Sequence, residues 1–337
     1  MAARLLLLVL FMMAAPVRAN DTLAELGAGG LVFVTSPAIE MESEDLFVSP
    51  EKVEVTYRFI NRGESDESAL VAFPMPEVTG SEDVMVNLPG DDPANLFGFS
   101  TTVSGAPVAA GLHQYAFALG IDRSALLARL NIPLAPFGAA TEKALAALKP
   151  EDQQQLVDLG LVRRWTYDAG QGETTTLFPV WTLRSAYSWQ ALFPAGKTVT
   201  IVHRYRPSVG GTVATTFLAP PDLTGGEDRP RLYREKYCTD ERFIRTVRKS
   251  LRDPADPYSA PYLENWIDYI WSTGANWNGP IRNFHLTIDK GDARNLVSFC
   301  WDGDVTKTGP TRFEMRAVDW YPPPGRELNI LILNPQP

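Results

Sequence analysis

The sequence predicts a mainly β protein with two antiparallel β-sandwich-like domains and a helical insertion. Short runs of alternating apolar and polar residues recur along the chain, and Gly, Pro and Asn turns separate them. One stretch, residues 121–164, instead contains helix-forming residues. The length of 337 residues suits two domains of ordinary size. Hydrophobic residues at 45% and charged residues at 21% are typical of a chain with a packed core.

Residues 1–19 have the pattern of a signal peptide and are not expected to belong to the fold. Arg4 is followed by an apolar run from Leu5 to Ala15, and Val17-Arg18-Ala19 is a small-x-small cleavage signal. We therefore predict cleavage after Ala19 and a periplasmic or secreted mature protein. An uncleaved anchor is the alternative, but this apolar run is short for one.

The charge balance argues against nucleic acid as a partner. The whole chain carries −9, and removal of residues 1–19 takes away two arginines and no acid. Phosphates are recognised by clustered Lys and Arg, which an acidic chain without basic runs lacks. The same argument disfavours anionic lipid. No later apolar run approaches the ~20 residues that span a bilayer.

The N-terminal domain is predicted at residues 20–218. Its clearest strand places Val53, Val55, Tyr57 and Phe59 on one buried face, because successive side chains of a strand point to opposite sides. Further short strands with Gly and Pro turns favour a sandwich.

The helical insertion at 121–164 is predicted to contain three helices. Asp122 or Ser124 can cap the first, the second runs from Thr141 to Leu148, and Pro150 opens the third. The insertion is interpreted as a lid, as a docking surface, or as a helical pack that covers a sheet edge.

The C-terminal domain is predicted at residues 219–337, after the breaks at Pro220-Pro221 and Gly225-Gly226. One short amphipathic helix should begin at Thr239. Residues 266–272 are ambiguous between strand and helix, and their aromatic and β-branched content favours a strand. Two apolar runs, 284–288 and 296–300, are expected to form an antiparallel pair across the turn 289–292.

Cys238 and Cys300 are the two cysteines of the chain. In an exported protein such a pair is expected to form a disulfide. A redox or metal-binding pair is the alternative, but there is no Cys-x-x-Cys spacing and no histidine nearby in sequence.

The sequence gives no catalytic constellation. The histidines are His113, His203 and His285, and none has a metal-ligand spacing. There is no Gly-x-Ser-x-Gly elbow, Ser-x-x-Lys motif or phosphate-binding loop. Recurring acidic pairs lack the converging oxygens of a calcium site. The sequence therefore predicts no metal and no cofactor, and makes an enzyme the less favoured class.

Eight tryptophans are many for this length, and exposed tryptophans can stack on sugar rings. Trp277 lies in a loop beside Asn276 and Asn278, so these three residues are the candidate ligand-binding site. The alternative is that Trp277 plugs the end of a sandwich, because aromatic side chains gain much from burial. Trp189 and Trp320 lie among predicted strands and are interpreted as core residues.

Several motifs resemble a bacterial family catalogued as domain of unknown function 4424. They are Val55-x-Tyr57-x-Phe59-x-Asn61, Phe73-Pro74-Met75-Pro76, Phe193-Pro194-Ala195, His203-x-Tyr205-x-Pro207, Thr273-Gly274-Ala275-Asn276-Trp277-x-Gly279-Pro280-Ile281, Ile288-Asp289-Lys290-Gly291 and Ser298-Phe299-Cys300. The loop containing Asn276 and Trp277 is the most specific of them. The resemblance implies an exported protein of Gram-negative bacteria and brings no established activity.

These observations favour a non-catalytic binding or structural module of the cell envelope, with an envelope protein or a glycan as partner. A glycan-binding module that uses Asn276, Trp277 and Asn278 is one alternative. A hydrolase with its site under the helical insertion is another. Converging carboxylates, or a histidine beside an acid in a cleft, would favour the hydrolase, whereas accessible aromatic rings would favour glycan binding.

Overall fold

A computed structural model describes residues 22–27, 30–81, 85–87, 95–168, 170, 172–212 and 214–336, so the predicted signal peptide lies outside the described residues. The strands are β1 (Thr22–Gly27), β2 (Gly30–Val34), β3 (Ile39–Val48), β4 (Val53–Asn61), β5 (Glu67–Pro74), β6 (Val78–Thr79), β7 (Met85–Asn87), β8 (Ser100–Val103), β9 (Ala106–Val108), β10 (Gly111–Ala118), β11 (Ile121–Asp122), β12 (Val162–Asp168), β13 (Glu173–Pro179), β14 (Thr182–Phe193), β15 (Thr198–Tyr205), β16 (Val209–Thr212), β17 (Tyr262–Tyr269), β18 (Ile281–Asp289), β19 (Leu296–Phe299), β20 (Thr306–Lys307), β21 (Arg312–Trp320) and β22 (Leu328–Pro335). The helices are α1 (Ser124–Arg129), α2 (Ala139–Ala146), α3 (Pro150–Asp158), α4 (Arg229–Tyr237) and α5 (Glu241–Arg248), with short 3-10 helices at Pro221–Leu223 and Ser272–Asn276. The protein is therefore mainly β, as predicted.

The largest sheet has eight strands in the order β20-β21-β18-β3-β4-β15-β8-β9. Its centre pairs β3 with β18 in parallel, from Ser43 opposite Asn283 to Val48 opposite Ile288. The other pairs within this sheet are antiparallel. A chain segment near the N-terminus is thus directly hydrogen-bonded to one near the C-terminus.

A seven-stranded sheet and a five-stranded sheet pack around the same core. The first has the order β11-β10-β14-β5-β1-β2, with β6 also paired to β14, and the second has the order β19-β22-β17-β16-β7. Side chains from all three sheets contribute to one buried cluster. At its centre the hydroxyls of Tyr57 and Tyr269 lie 3.0 Å apart, and Phe73 packs with a ring separation of 6.5 Å from Tyr269.

The alternation predicted for β4 is confirmed by burial. Val53, Val55, Tyr57 and Phe59 are fully buried, while Arg58 between them is exposed. Transfer of an apolar side chain of this size out of water stabilises the fold by roughly 1.5–3 kcal/mol. The pattern of this strand therefore fixes which face of the eight-stranded sheet meets the other two sheets.

The predicted boundary at 218/219 does not separate the sheets. The eight-stranded sheet contains β3, β4 and β15 from one side of the boundary and β18 and β21 from the other. The main hydrophobic cluster also contains residues from both sides. The division into domains at 20–218 and 219–337 stays a prediction, but the strands of the two parts share one core.

The helical insertion contains the three predicted helices, α1, α2 and α3. Leu127, Leu145 and Leu156, one from each helix, are buried against Trp181 in a separate small cluster. The indole nitrogen of Trp181 donates to the Leu134 carbonyl oxygen at 2.7 Å. The insertion follows β11 at the edge of the seven-stranded sheet, which agrees with a helical pack that covers an edge. No helix in the described part of the chain is long and apolar enough to cross a membrane.

The prediction that 284–288 and 296–300 form an antiparallel pair is wrong, although both segments are strands. β18 pairs with β3 and β21, whereas β19 pairs with β22 in a different sheet. The loop between them folds around Lys290, which is only 6% exposed and whose Nζ donates to the carbonyl oxygens of Ala293 and Asn295. These bonds turn the chain away from β18 instead of back along it.

The segment before Cys238 contains a helix that the sequence did not predict. Two helices, α4 and α5, replace the single short helix expected from Thr239. The Asp228 carboxylate caps α4 by accepting from the backbone N–H of Arg231 at 3.1 Å. Few apolar residues occur in the sequence RPRLYREKY of α4, so the pattern used to predict helices is weak there. The predicted strand at 266–272 is present as β17, which ends at Tyr269.

The predicted disulfide is present and anchors the end of α4. Cys238 follows the last residue of α4, and Cys300 follows β19. Their Cα atoms lie 5.1 Å apart and the sulfurs are bonded. The bond joins α4 to the five-stranded sheet over a sequence separation of 62 residues.

A buried glutamate on β17 forms a second contact between α4 and the five-stranded sheet. The Glu264 side chain on β17 is fully buried and accepts from the backbone N–H groups of Thr216 and Phe217 and from the hydroxyls of Thr216 and Tyr233. The Tyr233 hydroxyl on α4 lies 2.6 Å from Oε2. Burial raises the pKa of Glu264, because the low-dielectric interior disfavours the charged form.

Removal of the disulfide should destabilise the protein strongly. Replacement of Cys238 and Cys300 by serine should lower the free energy of unfolding by about 4 kcal/mol, because the unfolded chain regains the freedom of a long loop. Urea unfolding of the oxidised protein, of the double variant and of the reduced protein measures this. Equal stability of the oxidised and reduced forms would contradict the role assigned to the bond.

Glu264 should make stability depend on pH. The folded state holds the Glu264 proton to a higher pH than the unfolded state, so this group's contribution is lost as pH rises from about 4.5 through the folded pKa. Glu264→Gln keeps an acceptor and stays neutral, so its free energy of unfolding should fall less over that range. Urea unfolding between pH 4.5 and 8 tests this, with the exposed Glu64→Gln as control. Identical pH slopes for native protein and Glu264→Gln would refute the assignment.

Candidate functional site

Three tryptophans from separate parts of the chain meet beside the disulfide. Trp271 follows β17, Trp301 follows Cys300, and Trp320 ends β21. The ring centroids of Trp320 lie 5.2 Å from Trp271 and 5.7 Å from Trp301. Beneath them Phe284 of β18 stacks on Trp320 at 4.2 Å. We call this group the tryptophan cleft.

The tryptophan cleft encloses a cavity of about 240 Å³. Its walls combine aromatic rings with a few charged side chains at the rim; the lining residues are Trp271, Cys300, Trp301, Asp302, Gly303, Arg316, Ala317, Trp320, Pro323 and Arg326. Apolar walls with a small number of polar groups are the usual composition of a small-molecule site.

The aromatic walls are held in place by hydrogen bonds and packing. The indole nitrogen of Trp271 donates to the Arg326 carbonyl oxygen at 2.7 Å, and its backbone N–H donates to Glu327 at 2.9 Å. Gly303 lies against Trp301: a Cβ at position 303 would be 2.9 Å from the Trp301 indole nitrogen. Glycine at this position therefore permits the close approach of backbone and ring.

Hydrogen-bond donors and acceptors stand together at the rim. Nη1 of Arg326 donates to both carboxylate oxygens of Asp302, at 3.2 and 3.1 Å. Arg316 is well exposed and lies 3.4 Å from Glu314. The exposed Arg326–Asp302 pair contributes little to stability, because solvent screens it. It does place guanidinium donors and carboxylate acceptors next to the rings.

The predicted site residues Asn276, Trp277 and Asn278 lie elsewhere and close a part of the core. Trp277 is only 4% exposed and its ring centroid lies 4.3 Å from that of Phe59. The Asn276 side chain donates to Thr22 Oγ1 at 2.9 Å, and the Asn278 backbone N–H donates to the Ile39 carbonyl oxygen at 2.9 Å. Of the two interpretations of Trp277, the structure supports the plug. Ligand binding by these residues stays a prediction, without an exposed indole face to support it.

The histidines do not line the tryptophan cleft. His285 lies 3.1 Å from Asp45 and 3.4 Å from Glu314 across neighbouring strands of the eight-stranded sheet. His203 is fully buried among aromatic rings of the core. His113 lies 2.8 Å from the Ser188 hydroxyl, and burial lowers the pKa of His113.

The cavity beside the helical insertion lacks acid–base groups. It encloses about 670 Å³, and its described lining contains the arginines Arg163, Arg164 and Arg184 but no carboxylate and no histidine. A hydrolase with its site under the helical insertion would need converging carboxylates, or a histidine beside an acid, in this cavity. In the described part of the chain, no group of three or more His, Cys, Asp or Glu side chains is arranged to hold a metal ion.

The tryptophan cleft is not predicted by the sequence pattern, because its parts are far apart in the chain. Trp320 was interpreted as core, and it is in fact half-buried with one side at the cleft. The signal that was available is Trp301 directly after Cys300. A disulfide fixes its neighbours, so an aromatic ring beside it is a good candidate for a preformed wall.

Structural comparison found distant similarity. A "putative nutrient binding protein" from Legionella pneumophila is 14% identical, with a TM-score of 0.43, over 94% of this chain and 70% of that one. A mutant of an M1 zinc metallopeptidase from Deinococcus radiodurans is 8% identical, with a TM-score of 0.23, over 89% of this chain and 43% of that one. At these scores neither similarity bears on function.

The sequence itself was compared with curated proteins and with family profiles. No curated protein matches it. The profile of DUF4424, a domain of unknown function, matches residues 19–331, which is nearly the whole chain. The expected resemblance is thus confirmed, and the chain belongs to the DUF4424 family.

Proposed function

We propose that the protein is a non-catalytic glycan-binding module of the bacterial cell envelope, with the tryptophan cleft as its binding site. The observation that carries the proposal is the meeting of the half-buried rings of Trp301 and Trp320 around one cavity, next to the buried Trp271, with charged groups at its rim. The site differs from the predicted loop 276–278, whose single tryptophan is buried, because Trp301 and Trp320 are only half-buried.

The chemistry of a sugar ring suits these walls. A pyranose presents C–H groups on its faces and hydroxyls around its edge. Tryptophan rings offer large apolar surfaces to the faces. Hydroxyls both donate and accept hydrogen bonds, so they need acceptors and donors side by side. Asp302 and Arg326 supply that combination within 3.2 Å of each other.

The cleft is also preorganised. Trp271 is fixed by Arg326 and Glu327, Trp320 stacks on Phe284, and Trp301 directly follows the disulfide-bonded Cys300. A site whose side chains are already ordered loses less conformational entropy on binding. Rigid aromatic walls therefore favour recognition of a weakly interacting ligand such as a saccharide.

Envelope location is part of the proposal and rests on the signal pattern of residues 1–19. The disulfide supports it, because such bonds persist in oxidising compartments and are rare in the cytosol. In this compartment the available glycans include peptidoglycan strands and the saccharides of surface polymers.

Loss of one cleft wall should reduce saccharide affinity. We expect Trp320→Ala to raise the Kd about tenfold, which corresponds to about 1.4 kcal/mol. Asp302→Ala should weaken binding through loss of acceptors. Calorimetric titration with chito-, cello- and malto-oligosaccharides and with the peptidoglycan disaccharide measures this.

The control is Trp165→Ala, which removes a 45% exposed tryptophan outside the cleft and should leave the Kd unchanged. Circular dichroism and thermal unfolding establish that each variant is folded. The proposal fails if none of the saccharides binds, or if Trp320→Ala and Asp302→Ala bind as tightly as the native protein.

A further inference from the structure

Another cleft, larger than the tryptophan cleft, lies along α4. Leu232, Tyr233, Lys236 and Tyr237 form its α4 wall. The other lining residues belong to three parts of the chain. They are Trp266 and Asp268 of β17, Ser208 and Gly210 at β16, and Pro76, Glu77, Val78, Thr79 and Ser81 in the segment that includes β6. The cavity is about 380 Å³. We call it the α4 cleft.

Two contacts hold α4 against the five-stranded sheet. The Tyr233 hydroxyl donates a hydrogen bond to the buried Glu264, and Cys238 at the end of α4 is bonded to Cys300. Two independent attachments therefore hold the helix against the sheet. This is the property expected of a binding site whose walls are rigid.

The charges of the α4 cleft are of both signs. Lys236 Nζ lies 3.5 Å from Asp268 Oδ1, and the two side chains are 46% and 40% exposed. Glu77 adds a second carboxylate and lies 2.7 Å from Arg184. A long, half-exposed ion pair such as Lys236–Asp268 is weak, so each partner can exchange it for a charged group of a ligand at low cost.

Apolar surface lies next to these charges. Leu232, which is 40% exposed, and the half-buried Trp266 line the cavity, whereas Pro76 and Val78 in its lining are buried. Binding of an apolar group over an exposed leucine lowers the free energy, because apolar surface is removed from water. The cleft thus offers a cation, carboxylates and an apolar wall within one small volume.

From this combination we infer that the α4 cleft binds a zwitterionic small molecule with an apolar side chain, the class of free α-amino acids and dipeptides. The ligand carboxylate pairs with Lys236, its ammonium pairs with Asp268, and its side chain packs on Leu232 and Trp266. The inference is independent of the glycan proposal, because the two clefts share no lining residue.

The test is calorimetric titration of the full mature chain with L-leucine and leucyl-leucine. Two matched analogues separate the charges: 3-methylbutan-1-amine lacks the carboxylate, and 4-methylpentanoate lacks the ammonium. We expect at least one zwitterion to bind and each analogue to bind at least tenfold more weakly. Equal binding of an analogue, or no binding of either zwitterion, would overturn the inference.

Variants locate the site. Lys236→Met and Asp268→Asn should each weaken zwitterion binding at least tenfold. Arg231→Met changes a charged residue of the same helix that lies outside the cleft and pairs with Glu235, and it should bind like the native protein. Unchanged affinity in both cleft variants would also overturn the inference. Trp320→Ala should retain zwitterion binding, so failure of the glycan proposal remains distinguishable.

Discussion

The parallel pairing of β3 with β18 is the constraint on which the rest of the structure depends. It joins residues about 240 positions apart in sequence and completes the eight-stranded sheet. The next pairing in this sheet, between β18 and β21, places Phe284 of β18 beneath the ring of Trp320. The entropic cost of closing a loop grows only slowly with its length, but contacts between residues so far apart in sequence make folding slow.

The helix α4 connects the two candidate sites. One of its faces forms a wall of the α4 cleft, and its C-terminal Cys238 is bonded to Cys300 at the edge of the tryptophan cleft. Arg326 strengthens this junction: its Nη2 lies 3.6 Å from Cys238 Sγ and its Nη1 contacts Asp302. The disulfide, Glu264 and Arg326 therefore hold one helix in the position that both clefts require.

Local patterns predicted the elements well, whereas long-range pairing could not be predicted. Val53 to Phe59 alternate because one face is buried, and the three helices of the insertion have helix-forming residues and a proline at the start of α3. The register of β3 and β18 leaves no trace in either segment alone. Helix α4 was missed because its stability comes from its cap, Tyr233 and the disulfide rather than from an apolar stripe. Polar neighbours make Trp277 resemble an exposed loop residue, yet the Asn276 side chain and the Asn278 backbone N–H donate to Thr22 of β1 and Ile39 of β3.

The most direct test of the account is the indole N–H spectrum of the eight tryptophans, recorded by ¹H–¹⁵N NMR while the oligosaccharides are added. Each indole gives one resonance, which single-tryptophan substitutions assign. The account predicts that the resonances of Trp271, Trp301 and Trp320 shift together and saturate, while those of Trp165 and Trp189 stay fixed. The absence of any shift in the three cleft resonances, or a shift confined to Trp165, would contradict it.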